Sequence, residues 1–513
     1  MNPSAPRIAT SQRTAYQFPV YRWIGWLAVA GFAIGLTAMF FLAGMFGVPA
    51  PLGWATIVIL FTLGALLLDR PKMLLGTMLF YFLLMPSNRL FGLLGLPLPT
   101  FIDELFFLPF IAVIAMNWIQ RRQLREATVF PVVFVILAGL SWYVNRPGVF
   151  TAVRVTLIVL KSYILWYYCR LTCTFESERQ LNRWMWGYVI YAAVQFFYNV
   201  LWQQGPWPKF HPDRSGGVFG PGGTGGAHVV GYLSVFALMI VAGWWVGAGG
   251  RVRRSRRIWA WLVVLTIAYN LIFMTDTKHA LVLFPLAFLP FIFHPKFSMR
   301  LRMGLLTTGL AFIVASIAYI QFALGGQRIH SYLDRFQSTP KGKMVYAVTV
   351  DFGHLVPYPL LGAGPGQFAS VQAVDARAPL ARRYVIPYLD EQRRLSYFSS
   401  SLAGTVSASS IMGMPQSDML ALTSEYGWLG AAAYYGFIGW MIVRLWRKST
   451  SLPLDTLPAG YFMSLSCGLL FFMFTTLLIS SATMPVLAFP LWILIGRMWD
   501  MKPDAVRAGT RAP

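Results

Sequence analysis

Apolar segments long enough to cross a bilayer recur along almost the whole chain, and they limit its fold more than any other feature. A transmembrane helix needs roughly 17–25 largely apolar residues. Inside lipid every backbone N–H and C=O must be bonded within the protein, so irregular chain is not tolerated there. The segments read as spans at 24–46, 50–68, 73–87, 102–119, 128–142, 149–169, 184–203, 227–247, 258–274, 279–293, 303–323, 417–443, 459–479 and 483–496. Two of them, 73–87 and 483–496, are short. Composition agrees: 57% of residues are hydrophobic and 12% charged, where a soluble protein carries about 25% charged residues. The expected fold class is an all-α polytopic membrane protein with about 12–14 transmembrane helices and one large loop carrying short amphipathic helices. The first apolar stretch is long enough to span, so it is expected to be a helix rather than a cleaved signal.

The net charge of +24 invites a nucleic-acid reading, but the placement of the basic residues opposes it. With the N-terminus in the cytoplasm and the spans alternating, most of the 42 Lys and Arg residues fall in segments on the inner side. The densest is the run GAGGRVRRSRR at 247–257. The short outer loops hold only Arg89, Arg146, Lys209, Arg214 and Lys278. Cationic loops stay cytoplasmic, and the rule weighs short loops and discounts long ones. Both termini are therefore expected to be cytoplasmic. The sequence divides into a tail at 1–23, a bundle of about eleven helices at 24–323, a long outward loop at 324–416, C-terminal helices at 417–496 and a tail at 497–513. No nucleic acid is expected as a partner; membrane lipids are. The long loop is expected to face outward.

The interval from Ala323 to Gln416 is the one long polar stretch, with nine Lys or Arg and five Asp or Glu. Loops beyond about 12–15 residues tend to be functional or disordered. Within it, Met344, Val348, Phe352 and Leu355 recur near helical spacing. That pattern predicts an amphipathic helix over 341–354 lying on the membrane surface. Tyr358 and Pro359 end it, and Gly362, Gly364 and Gly366 predict a tight turn. The run FSSSLAGTVSASSIMG at 398–413 reads as a lid, a substrate-adapting wall or an ordinary linker.

Some polar residues stand in unusual places. Arg154 and Lys161 lie in one span, seven residues and so two turns apart, on one helix face. Charges inside a membrane are costly and often mark a functional path, although Arg154 could also snorkel to the surface. Arg214 sits in a Gly-rich outer loop beside His211 and Asp213. Lys278 and His279 open a span, and Asp418 and Glu425 fall in the first turns of span 417–443. Together they describe a polar site near the headgroups, with cations for phosphate and carboxylates for base work. The alternative is a set of unrelated interfacial residues. Cys169, Cys173 and Cys467 lie in or beside spans and read as small packing residues. No metal site is expected.

Four stretches, in order, resemble the superfamily of O-antigen ligases and polymerases, which act on lipid-linked glycans in bacterial inner membranes. RSGGVFGPGGTGGAHVVGYLSVFAL (214–238) is similar to its Arg-then-Gly loop entering a helix. FMTDTKHALVLFPLAF (273–288) is similar to its Ser-Arg-Gly-Ala helix start. KMVYAVTVDFGHLVPYPLLGAGPGQF (343–368) resembles its amphipathic stretch and Gly-x-Gly turn. PQSDMLALTSEYGWLGAAAYYGFI (415–438) resembles its His-Asn-x-x-Leu helix with a following Glu-x-Gly.

The resemblance implies an inverting, metal-independent glycosyltransferase without a cofactor. Its donor would be a glycan on undecaprenyl diphosphate, and other polysaccharide assembly and export proteins could be partners. Arg214 and Lys278 would bind diphosphate, and Arg328 and Arg335 an anionic carrier or acidic sugar. Arg154 and Lys161 join them as binding candidates. Gln416 stands where the ligases have a His base, so Asp418, Glu425, His330 or His354 would serve instead, or the acceptor is activated differently. That departure favours polymerisation of repeat units over ligation. The remaining readings are a ligase with an unusual base, a flippase for lipid-linked sugars and a silent scaffold.

Overall fold

The computed structural model describes residues 70–84, 107–121, 129–203, 216–217, 224–248, 252–275, 277–323, 340–387, 417–480 and 485–501. The expected spans 24–46 and 50–68 lie outside these residues. Among the described residues the secondary structure is helical, with no strand. Five helices are long and apolar enough to cross a membrane, and three shorter apolar helices accompany them. This is an all-α membrane protein.

The chain divides into two compact units, residues 1–123 with 167–173, and residues 124–166 with 174–513. In the first, α1 (Pro71–Leu84) and α2 (Leu108–Arg121) are described. The Tyr168 hydroxyl donates to the Pro71 carbonyl at 3.1 Å, and the Trp118 indole donates to the Tyr167 hydroxyl at 3.2 Å. Buried Tyr and Trp keep a hydrogen-bond partner for their polar ends, and these contacts supply it.

The second unit carries α3 (Val129–Asn145), α4 (Val149–Thr172, whose last turn belongs to the first unit), α5 (Glu178–Tyr198), α6 (Thr224–Ala248), α7 (Arg254–Tyr269), α8 (Lys278–Ala287), α9 (Leu289–Ile292) and α10 (Met299–Ala323). Then follow α11 (Pro340–Thr349), α12 (Phe352–Leu355), α13 (Val371–Asp375), α14 (Pro379–Tyr384), α15 (Asp418–Ser451), α16 (Leu457–Leu478) and α17 (Pro485–Trp499).

Each described apolar segment forms a helix, but two of the expected spans are broken. Span 279–293 divides at Phe288 into α8 and α9, where Pro285 and Pro290 each remove a backbone donor. Span 417–443 extends to Ser451 and breaks at Gly427, whose φ of 70° and ψ of −176° are not helical. Both α5 and α7 end in a π turn, at Asn199–Gln203 and Asn270–Met274.

Small residues let α6 and α16 approach closely. A Cβ on Gly243 of α6 would lie 2.3 Å from the Gly460 carbonyl oxygen of α16, and one on Gly460 would lie 1.9 Å from that of Gly243. The Ser464 hydroxyl donates across the same contact to the Met239 carbonyl at 2.7 Å. Lipid is as apolar as leucine, so membrane helices associate by such close packing and by polar bonds. Aromatic rings complete the core: Phe437 stacks on Phe130 at 4.3 Å and on Trp492 at 6.0 Å. The Arg497 guanidinium lies 4.2 Å from the Phe175 ring and 4.1 Å from the Trp184 ring, which shelters a buried cation. Cys169, Cys173 and Cys467 are buried.

The predicted amphipathic helix over 341–354 is present as α11 and α12. Its apolar face does not lie on lipid. Met344, Val348 and Phe352 are buried in a cluster with Val356, Phe368 and Leu420. The first half of the long interval is thus a packed subdomain with a small core of its own.

Candidate functional site

The subdomain meets α15 at its break. A broken helix leaves orphan carbonyls on one side and orphan N–H groups on the other. The turn at 359–366 takes up both. Ala363 and Gly364 donate to the Ser424 and Glu425 carbonyls at 2.8 and 3.1 Å. Trp428 and Leu429 donate to the Pro359 and Leu360 carbonyls at 3.4 and 3.3 Å. From α3, the Ser141 hydroxyl donates to the Glu425 carbonyl at 3.1 Å, and the Asn145 amide donates to the Gly362 carbonyl at 3.0 Å.

Glycine is required where these backbones meet. A Cβ on Gly427 would lie 2.1 Å from the Leu360 oxygen, and one on Gly362 would lie 2.4 Å from the Gly427 nitrogen. Both residues also have positive φ, which side-chain-bearing residues rarely adopt.

The Glu425 carboxylate anchors this junction. It is fully buried and accepts from the backbone N–H groups of Gly366, Phe368 and Ser370 at 2.6, 3.2 and 2.8 Å. Backbone N–H groups that converge on one anion make a nest. Here the protein's own carboxylate fills it. Glu425, expected as a candidate base, has its lone pairs engaged in holding the turn. On α4, Thr151 packs against Gly366, and the Thr156 and Tyr426 hydroxyls pair at 3.3 Å. Arg154 is half-buried and Lys161 buried on that same helix.

A second polar cluster gathers at the start of α15. Asp418 is 5% exposed, in the first turn behind the Ser417 cap, whose hydroxyl accepts from the Leu420 N–H at 3.2 Å. Lys341, on α11, is 3% exposed. Its Nζ donates to the Leu478 carbonyl at the end of α16, where helix geometry leaves carbonyls unpaired and favours a cation. Burial pushes the Lys341 ammonium down to about 7, against the opposing pull of Asp418. The Lys341 charge also acts on His279 of α8. The His279 ring lies 5.1 Å from that of His228, and its Nε2 shares a hydrogen bond with the Tyr232 hydroxyl of α6. The Tyr434 hydroxyl is buried without a hydrogen bond. Asp418 is close enough to act electrostatically on Tyr434.

The α6–α8 contact explains why the histidines meet. Gly231 fits against Thr277, whose hydroxyl donates to Thr275 Oγ1 at 3.0 Å. Further along, the Asn199 amide donates to Asn270 Oδ1 at 2.9 Å, and Gly217 N–H donates to Asn199 Oδ1 at 2.8 Å. The two π turns and the described end of the Gly-rich loop are therefore joined. Among the described residues, no three of His, Cys, Asp and Glu converge as metal ligands.

Of the residues singled out from sequence, Asp418 stands in this cluster and Glu425 in the nest two turns away. His354 is exposed on α12, with its backbone N–H donating to Asp351 at 2.9 Å. Its side chain is not among the buried polar groups. Arg214, Arg328, His330, Arg335, Gln416 and the run 398–413 lie outside the described residues. Of Lys278, only the backbone at the start of α8 is described. Lys341, His228 and Tyr232 were missed. Lys341 reads in sequence as one more solvated loop charge, and the only signal was its place at the head of the Met344–Val348 stripe. No family model matches the chain, and no curated protein matches it in sequence.

Proposed function

We propose that this protein polymerises oligosaccharide repeat units carried on undecaprenyl diphosphate, at the periplasmic face of a bacterial inner membrane. One observation carries the reading: a buried cation–carboxylate–histidine cluster where the long loop meets apolar helix ends. A lipid-linked donor presents a sugar diphosphate at headgroup level while its tail stays in the bilayer. Its chemistry needs cations for the departing diphosphate and a proton acceptor for the attacking hydroxyl. Lys278, one residue before His279, and Arg214, three residues before Gly217, are the proposed diphosphate ligands. The four ordered motifs support the same class, and Gln416 in place of a His base favours polymerase over ligase.

A deletion strain should accumulate single repeat units on the lipid carrier. Long polymer retained on the carrier would indicate a ligase, and unchanged glycan would remove both readings. Arg214→Ala and Lys278→Ala should each abolish polymer while the protein remains in the membrane. Normal polymer in both would remove the proposed diphosphate site. Purified protein in liposomes separates an enzyme, which forms new glycosidic bonds, from a flippase, which moves the donor unchanged.

A further inference from the structure

We propose that Asn199 is a positioning residue: its buried amide bridge to Asn270 sets the gap between the end of the Gly-rich loop and the start of α8. The proposal rests on the glycosyl-transfer reading, in which Arg214 and Lys278 hold the donor diphosphate from those two segments.

A continuous run of hydrogen bonds joins the segments. Gly217 N–H donates to Asn199 Oδ1 at 2.8 Å, and the other arm of that amide donates to Asn270 Oδ1 at 2.9 Å. Thr275 N–H donates to the Asn270 backbone carbonyl at 3.1 Å. The Thr277 hydroxyl donates to Thr275 Oγ1 at 3.0 Å. Thr277 stands immediately before α8, and its carbonyl accepts from Ala280 N–H at 2.9 Å. Asn199, Asn270, Thr275 and Thr277 are all fully buried, so solvent does not compete for these bonds, and the low-dielectric surroundings strengthen them.

The backbone is shaped for the bridge at both ends. Helices α5 and α7 each pass into a π turn at the asparagine itself, and such turns are uncommon outside functional sites. On the loop side, Gly217 has a φ of 56°, and a Cβ there would lie 2.2 Å from Gln195 Oε1. Only glycine lets the loop settle on Asn199 in that way. On the α8 side, Thr277 is pressed against Gly231 of α6, and its hydroxyl lies 3.4 Å from the Ala227 carbonyl.

Arg214 precedes Gly217 by three residues, a chain reach of about 11 Å at most, and Lys278 follows Thr277 directly. The bridge therefore ties the anchor point of one proposed diphosphate ligand to that of the other. Interhelical hydrogen bonds in membrane proteins contribute modestly to stability. Misplacing a binding group by about 1 Å can cost on the order of 100-fold. Loss of Asn199 should therefore be felt by the diphosphate more than by the fold.

The test measures the affinity of purified full-length protein in nanodiscs for undecaprenyl diphosphate. Asn199→Ala should weaken binding about tenfold or more. In an Arg214→Ala background the same change should add less than about twofold, because the group it positions is gone. A purely structural role would add the same loss in both backgrounds. Asn199→Asp keeps an acceptor for Gly217 N–H and can pair with the Asn270 amide turned over, so it should bind within about threefold of wild type. Asn270→Ala cuts the bridge on its α8 side and should match Asn199→Ala.

Equal losses in the two backgrounds would overturn the assignment, as would wild-type affinity in Asn199→Ala. So would an Asn199→Asp protein as weak as Asn199→Ala. If Asn199→Ala fails to fold, Asn270→Ala paired with Arg214→Ala decides in the same way. A wild-type protein that does not bind the probe, or an Arg214→Ala protein that binds it as tightly, would defeat the diphosphate reading itself. Weakened binding in Arg214→Ala with both asparagine variants unaffected would defeat only the bridge.

Discussion

Two buried charges sit at the two ends of the first segment of α15, and the protein treats them oppositely. Glu425 is met by three backbone N–H donors and a fixed glycine turn. Lys341 donates to a helix-end carbonyl and lies among side chains that can themselves gain or lose charge. A charge held by backbone cannot be released without dismantling the fold. A charge set beside a carboxylate and a helix-end carbonyl can change state in place. The comparison separates an ion fixed by backbone donors from one set among side chains.

The comparison breaks most visibly at the glycine. Gly427→Ala puts a Cβ 2.1 Å from the Leu360 oxygen at a positive φ. Strain and overlap together should cost about 3 kcal/mol or more, and folded protein should be lost in size-exclusion profiles of detergent extracts. A normal profile would show that the turn and α15 do not meet as described.

Next in size is Glu425→Ala, which leaves three buried N–H groups without their acceptor. A loss of about 3–5 kcal/mol is expected, read as a fall in the unfolding midpoint, with activity lost in step. Glu425→Gln keeps one acceptor oxygen and should fall between. A fully stable but inactive Glu425→Gln would mean that the carboxylate works chemically after all.

Lys341 should behave differently. Its ammonium lies at about 7 in the fold, below the ordinary value of 10.5. Between those two the unfolded chain binds more protons, so stability should rise with pH across that window. Wild type and Lys341→Met compared by thermal unfolding should therefore diverge in favour of wild type as pH climbs from 7 to 10.5. A constant difference would show that Lys341 does not titrate there. The smallest effect is expected at Thr156→Val, where loss of one hydroxyl pair with Tyr426 should cost about 1 kcal/mol or less.

Helices were legible wherever apolar residues ran long enough, because period and length are local properties. The turn at Gly362–Gly366 was legible for the same reason. What it is for was not. Nothing in the spacing of Glu425 says that its acceptor capacity is taken by residues more than fifty positions earlier in the chain. The break at Gly427 was hidden because one glycine in a long apolar helix is ordinary. The Lys341 cluster was illegible because it draws on α6, α8, α11, α15 and α16, and only tertiary packing makes a loop lysine buried. Asp418 was found because a carboxylate in the first turn of an apolar helix stands out.

The break in α15 also bears on how the protein is assembled. The stretch from Trp428 to Ser451 is 24 residues, about 36 Å of helix, enough to cross the bilayer alone. The segment before it is far too short to do so. The turn that completes it is synthesised earlier, so a ready-made template awaits α15 when the ribosome delivers it. Until docking, the Ser424 and Glu425 carbonyls and the nest N–H groups stay open to water or to a membrane protease. Completion of this one junction therefore distinguishes a finished molecule from an unfinished one. Pulse-labelled chains of Gly427→Ala should be degraded soon after insertion rather than fail to insert.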